Sequence, residues 1–145
     1  MTVTDRVAIE VAAQDAAQPR SHGHGLARAV AVLGLGVTAV VHAPLVPEHW
    51  DEIPYLGVAF AVLVVSAAAL AGSLLVESSR VAWALALALT VGAVVLYVAS
   101  RTVGLPLAGD EVGDWADVSG VVAVAAELVV AACALTVLRR RRSTR

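Results

Sequence analysis

Four long runs without a charged side chain dominate this sequence: Ala29 to Pro47, Ile53 to Val76, Val81 to Ser100, and Val118 to Leu138, the last broken only by Glu127. Each is close to the roughly 20 residues needed to cross a hydrocarbon layer about 30 Å thick. Inside such a layer every backbone N–H and C=O must find its partner within the protein, which leaves helices and closed barrels as the only spanning structures. The runs are continuous and do not alternate apolar with polar residues, so they predict helices. Their valine would favour strands in water, but that preference loses its force where the backbone must pair within its own segment.

Composition narrows the function classes. Hydrophobic side chains make up 59% of the 145 residues and charged ones 15%, with alanine and valine together supplying 58. An ordinary soluble domain has about 45–50% apolar and about 25% charged residues, so the composition argues against a soluble enzyme and against a nucleic-acid-binding protein. Every basic side chain apart from histidine is one of ten arginines, and lysine and asparagine are absent, a composition that suggests a high-GC genome. The expected fold is all-α: a polytopic membrane protein whose four transmembrane helices, at about 29–47, 55–76, 81–101 and 117–138, form a bundle over residues 28–140. Residues 1–27 read as a polar segment, either disordered or a short amphipathic helix, and residues 141–145 as a basic tail. A cleavable signal is the rival for the first run, but Asp5, Glu10 and Asp15 stand where a basic leader would be.

Charge gives the chain a direction. Arg6, Arg20 and Arg28 precede the first run, Arg80 lies in the second connection, and Arg139, Arg140, Arg141, Arg142 and Arg145 follow the last run. Nine of the ten arginines thus fall on one side of a four-span arrangement, and the positive-inside rule makes that side cytoplasmic, with both termini there. The other two connections carry Glu48, Asp51, Glu52, Asp110, Glu111, Asp114 and Asp117, with Arg101 as their only cation. Arg139, Arg140, Arg141 and Arg142 read as an anchor that also meets anionic head groups. Trp50, Tyr55 and Trp115, and Trp83 at the other interface, fit an aromatic belt. Gly104-Leu105-Pro106 reads as a helix stop, and Asp114 or Asp117 as the N-cap of the last helix. The lone Cys133 gives no disulfide framework.

The few polar residues inside the spans carry the functional signal. Gly120, Ala123, Glu127, Ala131 and Ala134 recur at helical spacing, so Glu127 lies in a row of small residues of the kind that lets membrane helices approach closely. Comparable rows are Ala31, Gly34, Thr38 and His42 in the first span, Ala59, Ser66 and Ser73 in the second, and Thr90, Ala93, Tyr97 and Arg101 in the third. Counted from the acidic side, Thr38, Ser66, Thr90 and Glu127 reach a similar depth. The expectation is an intramembrane polar pocket of Glu127, His42, Tyr97, Arg101, Thr38, Ser66 and Thr90. A track would run to it from Glu48, His49 and Glu52. Ionisable groups within a membrane are functional candidates by default. Two readings of Glu127 stand side by side: a proton-accepting or cation-binding group, or a hydrogen-bonded glutamate that fixes packing through Thr38, Ser66 or Thr90.

His42, Glu48 and His49 form the one set that would suit a divalent metal, imidazole and carboxylate together being zinc or copper ligands. No other cofactor is expected, and haem would need histidines on facing spans. His22 and His24 fall short of a site.

His42, Glu48-His49, Tyr55-Leu56-Gly57 and the stretch Tyr97 to Pro106, with Glu127 downstream, resemble a group of small four-span membrane proteins of high-GC bacteria. The resemblance covers about residues 28 to 138 and brings no established activity; it implies the architecture and the choice of residues. The sequence therefore points to a multi-pass protein of the bacterial cytoplasmic membrane, more an accessory, sensory or structural subunit than an enzyme. Its expected partners are the lipid bilayer and either further copies of itself or another membrane protein, with no nucleic acid. The rivals are a small oligomeric transporter or proton/cation pathway, and a metal or redox protein.

Overall fold

The computed structural model of the protein describes residues 4–7, 10 and 19–140. From residue 19 the chain forms α1 (Pro19–His42), α2 (Leu45–Glu52), α3 (Pro54–Val76), α4 (Arg80–Thr102) and α5 (Val118–Arg140). The described residues contain no strand. All of these helices except α2 are long and apolar enough to cross a membrane.

Local chemistry sets the helix ends. Pro54 opens α3 at a position where its missing N–H has no helical partner to lose. The Ser79 hydroxyl caps α4 by accepting from the Ala82 N–H at 3.1 Å. Asp117 caps α5, its carboxylate accepting from the N–H groups of Ser119 at 3.3 Å and Gly120 at 2.8 Å. At the far end of α4, Gly104 has φ +76° and its N–H reaches back to the Ala99 carbonyl at 3.1 Å. This left-handed glycine stop ends a helix without a Cβ penalty.

The first apolar run is not one span. Pro44 and Pro47 both lack a backbone N–H, and their rings would press on carbonyls one turn back, so α1 ends at His42 and Leu45–Glu52 forms a separate short helix. At its other end α1 extends back to Pro19, well beyond the apolar run. Arg141, Arg142 and Arg145 lie outside the described residues, while Arg139 and Arg140 are exposed at the end of α5.

The four long helices form a ring in which α1 touches α3 and α5, and α4 touches α5 and more sparingly α3, while the diagonal pairs do not meet. Short connections make neighbours antiparallel. Arg28, Arg80, Arg139 and Arg140 therefore mark one end of the bundle, and α2 and the 103–117 connection cover the other, acidic end. The tightest approach is at Gly34, where a Cβ would lie 2.5 Å from Val130 Cγ2 and 3.2 Å from the Ala126 carbonyl oxygen. The dry core, Ala31, Leu35, Ala67, Leu74, Ala82, Trp83, Ala86, Val130, Ala134 and Val137, fills the half of the bundle nearer the arginine end.

Trp83 is a correction to the expected aromatic belt. It is fully buried in that core, with its indole N–H donating to Ser78 Oγ at 2.7 Å. A ring this large stabilises more by filling the inter-helix space than by lying at a head-group boundary, and Ser78 satisfies its one donor. Trp50, Tyr55 and Trp115 are exposed.

Candidate functional site

Glu127 is 1% exposed. It lies nine residues into α5, about 13–14 Å along the axis at 1.5 Å per residue. Ala123, Val130 and Ala134 are buried on the same face, so the helical spacing expected around Glu127 is realised. In the α1 row Ala31, Gly34 and Thr38 are buried and His42 is half-buried; in the α4 row Thr90 and Arg101 are buried, with Ala93 and Tyr97 half-buried between them. The row assigned to α3 is not. Ala59 and Ser73 are exposed, and Ser66 lines a shallow outward groove with Ala61, Val62 and Val65. The residues that α3 buries are Leu56, Gly57, Ala67 and Leu74. In an apolar helix small residues occur on every face, so the spacing alone did not single out the packed one. Ser66 thus drops out of the pocket.

Thr90 is buried, but its hydroxyl donates to the Ala86 carbonyl at 2.9 Å within its own helix. Thr38 is different. Its Oγ1 has no hydrogen-bond partner among the described residues, and the same holds for Tyr97 Oη, Arg101 Nε and Glu127 Oε1. These buried, unpartnered atoms come from α1, α4 and α5, and all lie between the middle of the bundle and its acidic end.

Arg101 closes the file at that end. Its guanidinium forms ion pairs with Glu111 and, at 3.7 Å, with Asp117, and stands 5.0 Å from the centre of the Tyr97 ring. The Gly113 N–H donates to the Arg101 carbonyl at 3.0 Å, and Tyr55 Oη donates to the Pro106 carbonyl, so the 103–117 connection is pinned over the bundle from two sides. The Tyr97 ring meets the Trp115 ring edge-on at 6.2 Å and lies where a Cβ on Gly120 would be, 2.6 Å from Tyr97 Cε2. The Asp117 pKa is held below that of a free aspartate, chiefly by the Ser119 hydroxyl and then by the Gly120 N–H, with Arg101 adding a smaller share. Two carboxylates facing one guanidinium leave the mouth net negative.

The expected track from the α1–α3 connection does not reach this cluster. Glu48 and Glu52 are exposed, and Arg101 pairs with Glu111 and Asp117. His42 and His49 instead both pack against Phe60, with ring centres at 5.7 and 5.1 Å. Each uses Nδ1 on a carbonyl one turn back in its own helix, Thr38 at 2.8 Å and Leu45 at 3.0 Å. Among the described residues no three His, Cys, Asp or Glu side chains are grouped to hold a metal ion, so His42, His49 and Glu48 are not brought together as a metal set. Glu111 was not singled out from the sequence as a site residue, and Asp117 only as a cap. Arg101 as the lone cation among seven acids was the one available hint, and nothing in spacing chose its partners.

No family model, no curated protein and no solved structure matches this chain. The fold and site together define a class: an all-helical bundle with four helices able to span a membrane and a buried glutamate at the foot of a file of polar atoms.

Proposed function

We propose that this is a multi-pass protein of a bacterial cytoplasmic membrane, with both termini in the cytoplasm. In this reading it is an accessory or sensory subunit whose polar pocket, centred on Glu127, opens towards the outside. The orientation rests on arginine placement: Arg28, Arg80, Arg139 and Arg140 share one end of the bundle and the acidic connections share the other, the asymmetry that the positive-inside rule reads. The resemblance to four-span proteins of high-GC bacteria supports the same architecture.

One observation carries the functional reading: a carboxyl group 1% exposed at mid-span, with Oε1 unpartnered. An ionised carboxylate left uncompensated in a low-dielectric interior is prohibitive, so such a group holds a proton or a ligand. A glutamate that only locked the helices together would have its oxygens bonded to Thr38 or Thr90. Here Thr90 bonds its own helix and Thr38 Oγ1 is itself unpartnered. In this reading Glu127 carries a proton that it can give up, or a ligand in the proton's place.

Infrared difference spectroscopy of reconstituted protein tests this. The carbonyl stretch of a protonated carboxylic acid is expected at neutral pH and vanishes in Glu127→Gln, which stays folded. Its absence from the wild-type protein would mean an ionised Glu127 and would remove the reading. Topology is checked with single cysteines in a Cys133→Ala background: probes in the 103–117 connection react from outside and those at the termini do not.

A further inference from the structure

We infer that the half of the bundle between Glu127 and the acidic cap is a hydrated proton path, closed towards the arginine end, so that Glu127 exchanges its proton with the acidic side alone. The inference deepens the pocket reading above and rests on it.

The first support is where the unsatisfied atoms lie. The buried side-chain polar atoms without a partner among the described residues are Thr38 Oγ1, Tyr97 Oη, Arg101 Nε and Glu127 Oε1. Their levels follow from two packing contacts. Gly34 on α1 faces Ala126 and Val130 on α5, and since the helices are antiparallel, Thr38, one turn further along α1, is level with about residue 124 of α5. A helical side chain leans towards the N-terminus of its helix. The Glu127 carboxyl therefore rises from its Cα towards that same level, beside the buried Ala123. The Tyr97 ring is fixed by Gly120, about one turn or 6 Å higher at 1.5 Å per residue, and the Arg101 guanidinium lies above that ring. The steps are Glu127 with Thr38, then Tyr97, then Arg101 with Glu111 and Asp117.

Buried polar groups that lack protein partners are ordinarily satisfied by water, each internal water making about three hydrogen bonds. Thr38 Oγ1 and Tyr97 Oη, about one turn apart in level, do not bond each other or any other described group, which leaves both to water in this path. A water chain moves a proton by handing it along: the Glu127 O–H bond breaks, its proton passes to the adjacent water, and that water releases another proton towards Tyr97 and the mouth. The carboxylate left behind is solvated by the chain. No other reactant is needed.

The second support is the other half of the bundle. Towards the arginine end, Glu127 is followed by Leu35, Val130, Ala86, Trp83, Ala134, Leu74 and Val137, each 2% exposed or less, a packed layer that gives water no polar foothold. The titratable and charged groups on the helices against α5 in the outer half are His42 on α1 and Tyr97 and Arg101 on α4; the connection over that end adds Glu111 and Asp117, which pair with Arg101, and the exposed Asp110 and Asp114. His42 has Nδ1 committed to the Thr38 carbonyl and packs at a tilt against Phe60. Arg101 is offset by its two carboxylates, so the mouth draws cations and protons towards it.

The experiment follows the infrared carboxyl band in vesicles sorted for uniform orientation by a tag on the arginine tail, with impermeant buffers on each side. An alkaline jump on the acidic-cap side bleaches the band rapidly, and the same jump on the arginine-tail side leaves it until the vesicle pH itself equilibrates. Tyr97→Phe and Thr38→Val each keep the side-chain shape and slow the bleaching several-fold, whereas Thr38→Ser restores the rate. Equal response from both sides, response from the arginine side only, no bleaching up to strongly alkaline pH, or variants that exchange at the wild-type rate would each overturn the path while the protonated band leaves the pocket reading standing. A missing wild-type band would sink the pocket reading and the path together.

Discussion

Gly34→Ala should open the α1–α5 seam beside Glu127, and its size can be worked from the contact. A Cβ there lies 2.5 Å from Val130 Cγ2 and 3.2 Å from the Ala126 carbonyl oxygen, against the roughly 3.5–4.0 Å at which carbon atoms attract. Valine is stiff at χ1 in a helix, with one rotamer dominating, and Ala126 offers only backbone, so relief requires the helices to part by about 1 Å. Overpacking of this kind costs about 1–3 kcal/mol. Alanine also brings about 0.8–1 kcal/mol of helix preference over glycine, which masks part of that loss. Gly36→Ala removes the ambiguity, because Gly36 is on the same helix with nothing within 4 Å of its Cβ position. The propensity term then cancels in the difference, leaving Gly34→Ala less stable than Gly36→Ala by about 1–3 kcal/mol. The assay is reversible unfolding in mixed micelles, with Val130→Ala as the second arm of a double-mutant cycle, where it should recover part of the Gly34→Ala loss. Equal stabilities for the two alanine variants, or no coupling to Val130, would refute the close approach and with it the level assigned to Thr38.

Gly57→Ala should undock α2, since a Cβ would meet the backbone of Trp50 at 2.8 and 2.9 Å; a changed Trp50 emission and new protease sensitivity near Glu52 are the readouts, and an unchanged α2 would speak against the docking. Removing both Glu111 and Asp117 by alanine should destabilise more than Arg101→Leu, because the first leaves a guanidinium of a 7% exposed residue unpaired while the second leaves two carboxylates that reach water; equal losses in the same unfolding assay would argue against a buried Arg101. Acidification should loosen the cap: the hydrogen bonds from Ser119 and Gly120 hold the Asp117 pKa below that of a free aspartate, so its stabilisation is complete above the unfolded value and fades as pH falls through the lower folded one. Cleavage within 103–117 should rise only below about pH 4, the ordinary aspartate range, and the rise should be absent in Asp117→Asn.

What the sequence by itself determined was everything that depends on hydrocarbon and backbone. The apolar runs required helices because lipid offers no hydrogen bonds, and α3, α4 and α5 begin and end within a residue or two of the charge boundaries, where Pro54, Ser79, Gly104 and Asp117 supply the local chemistry. Glu127, Thr38 and Arg101 were also legible, since a polar residue inside an apolar run is conspicuous. Which face of α3 packs was not, because in a helix apolar on all sides the periodic signal that marks a buried face in water is gone; Ser66 was misplaced for that reason. Trp83 went from expected interface to core on the same grounds, and Pro44 and Pro47 divided a run that hydropathy alone reads as continuous. Only the tertiary structure decided which carboxylates meet Arg101. Glu111 reaches it through a turn whose φ angles at Gly104 and Leu107 are positive, and no periodicity carries information about a loop that folds back on its own helix. The same packing left four polar atoms between the middle of the bundle and its acidic end without partners among the described residues and filled the other half with apolar side chains. That division depends on the registers set at Gly34 and Gly120, where the absence of a side chain lets two helices meet.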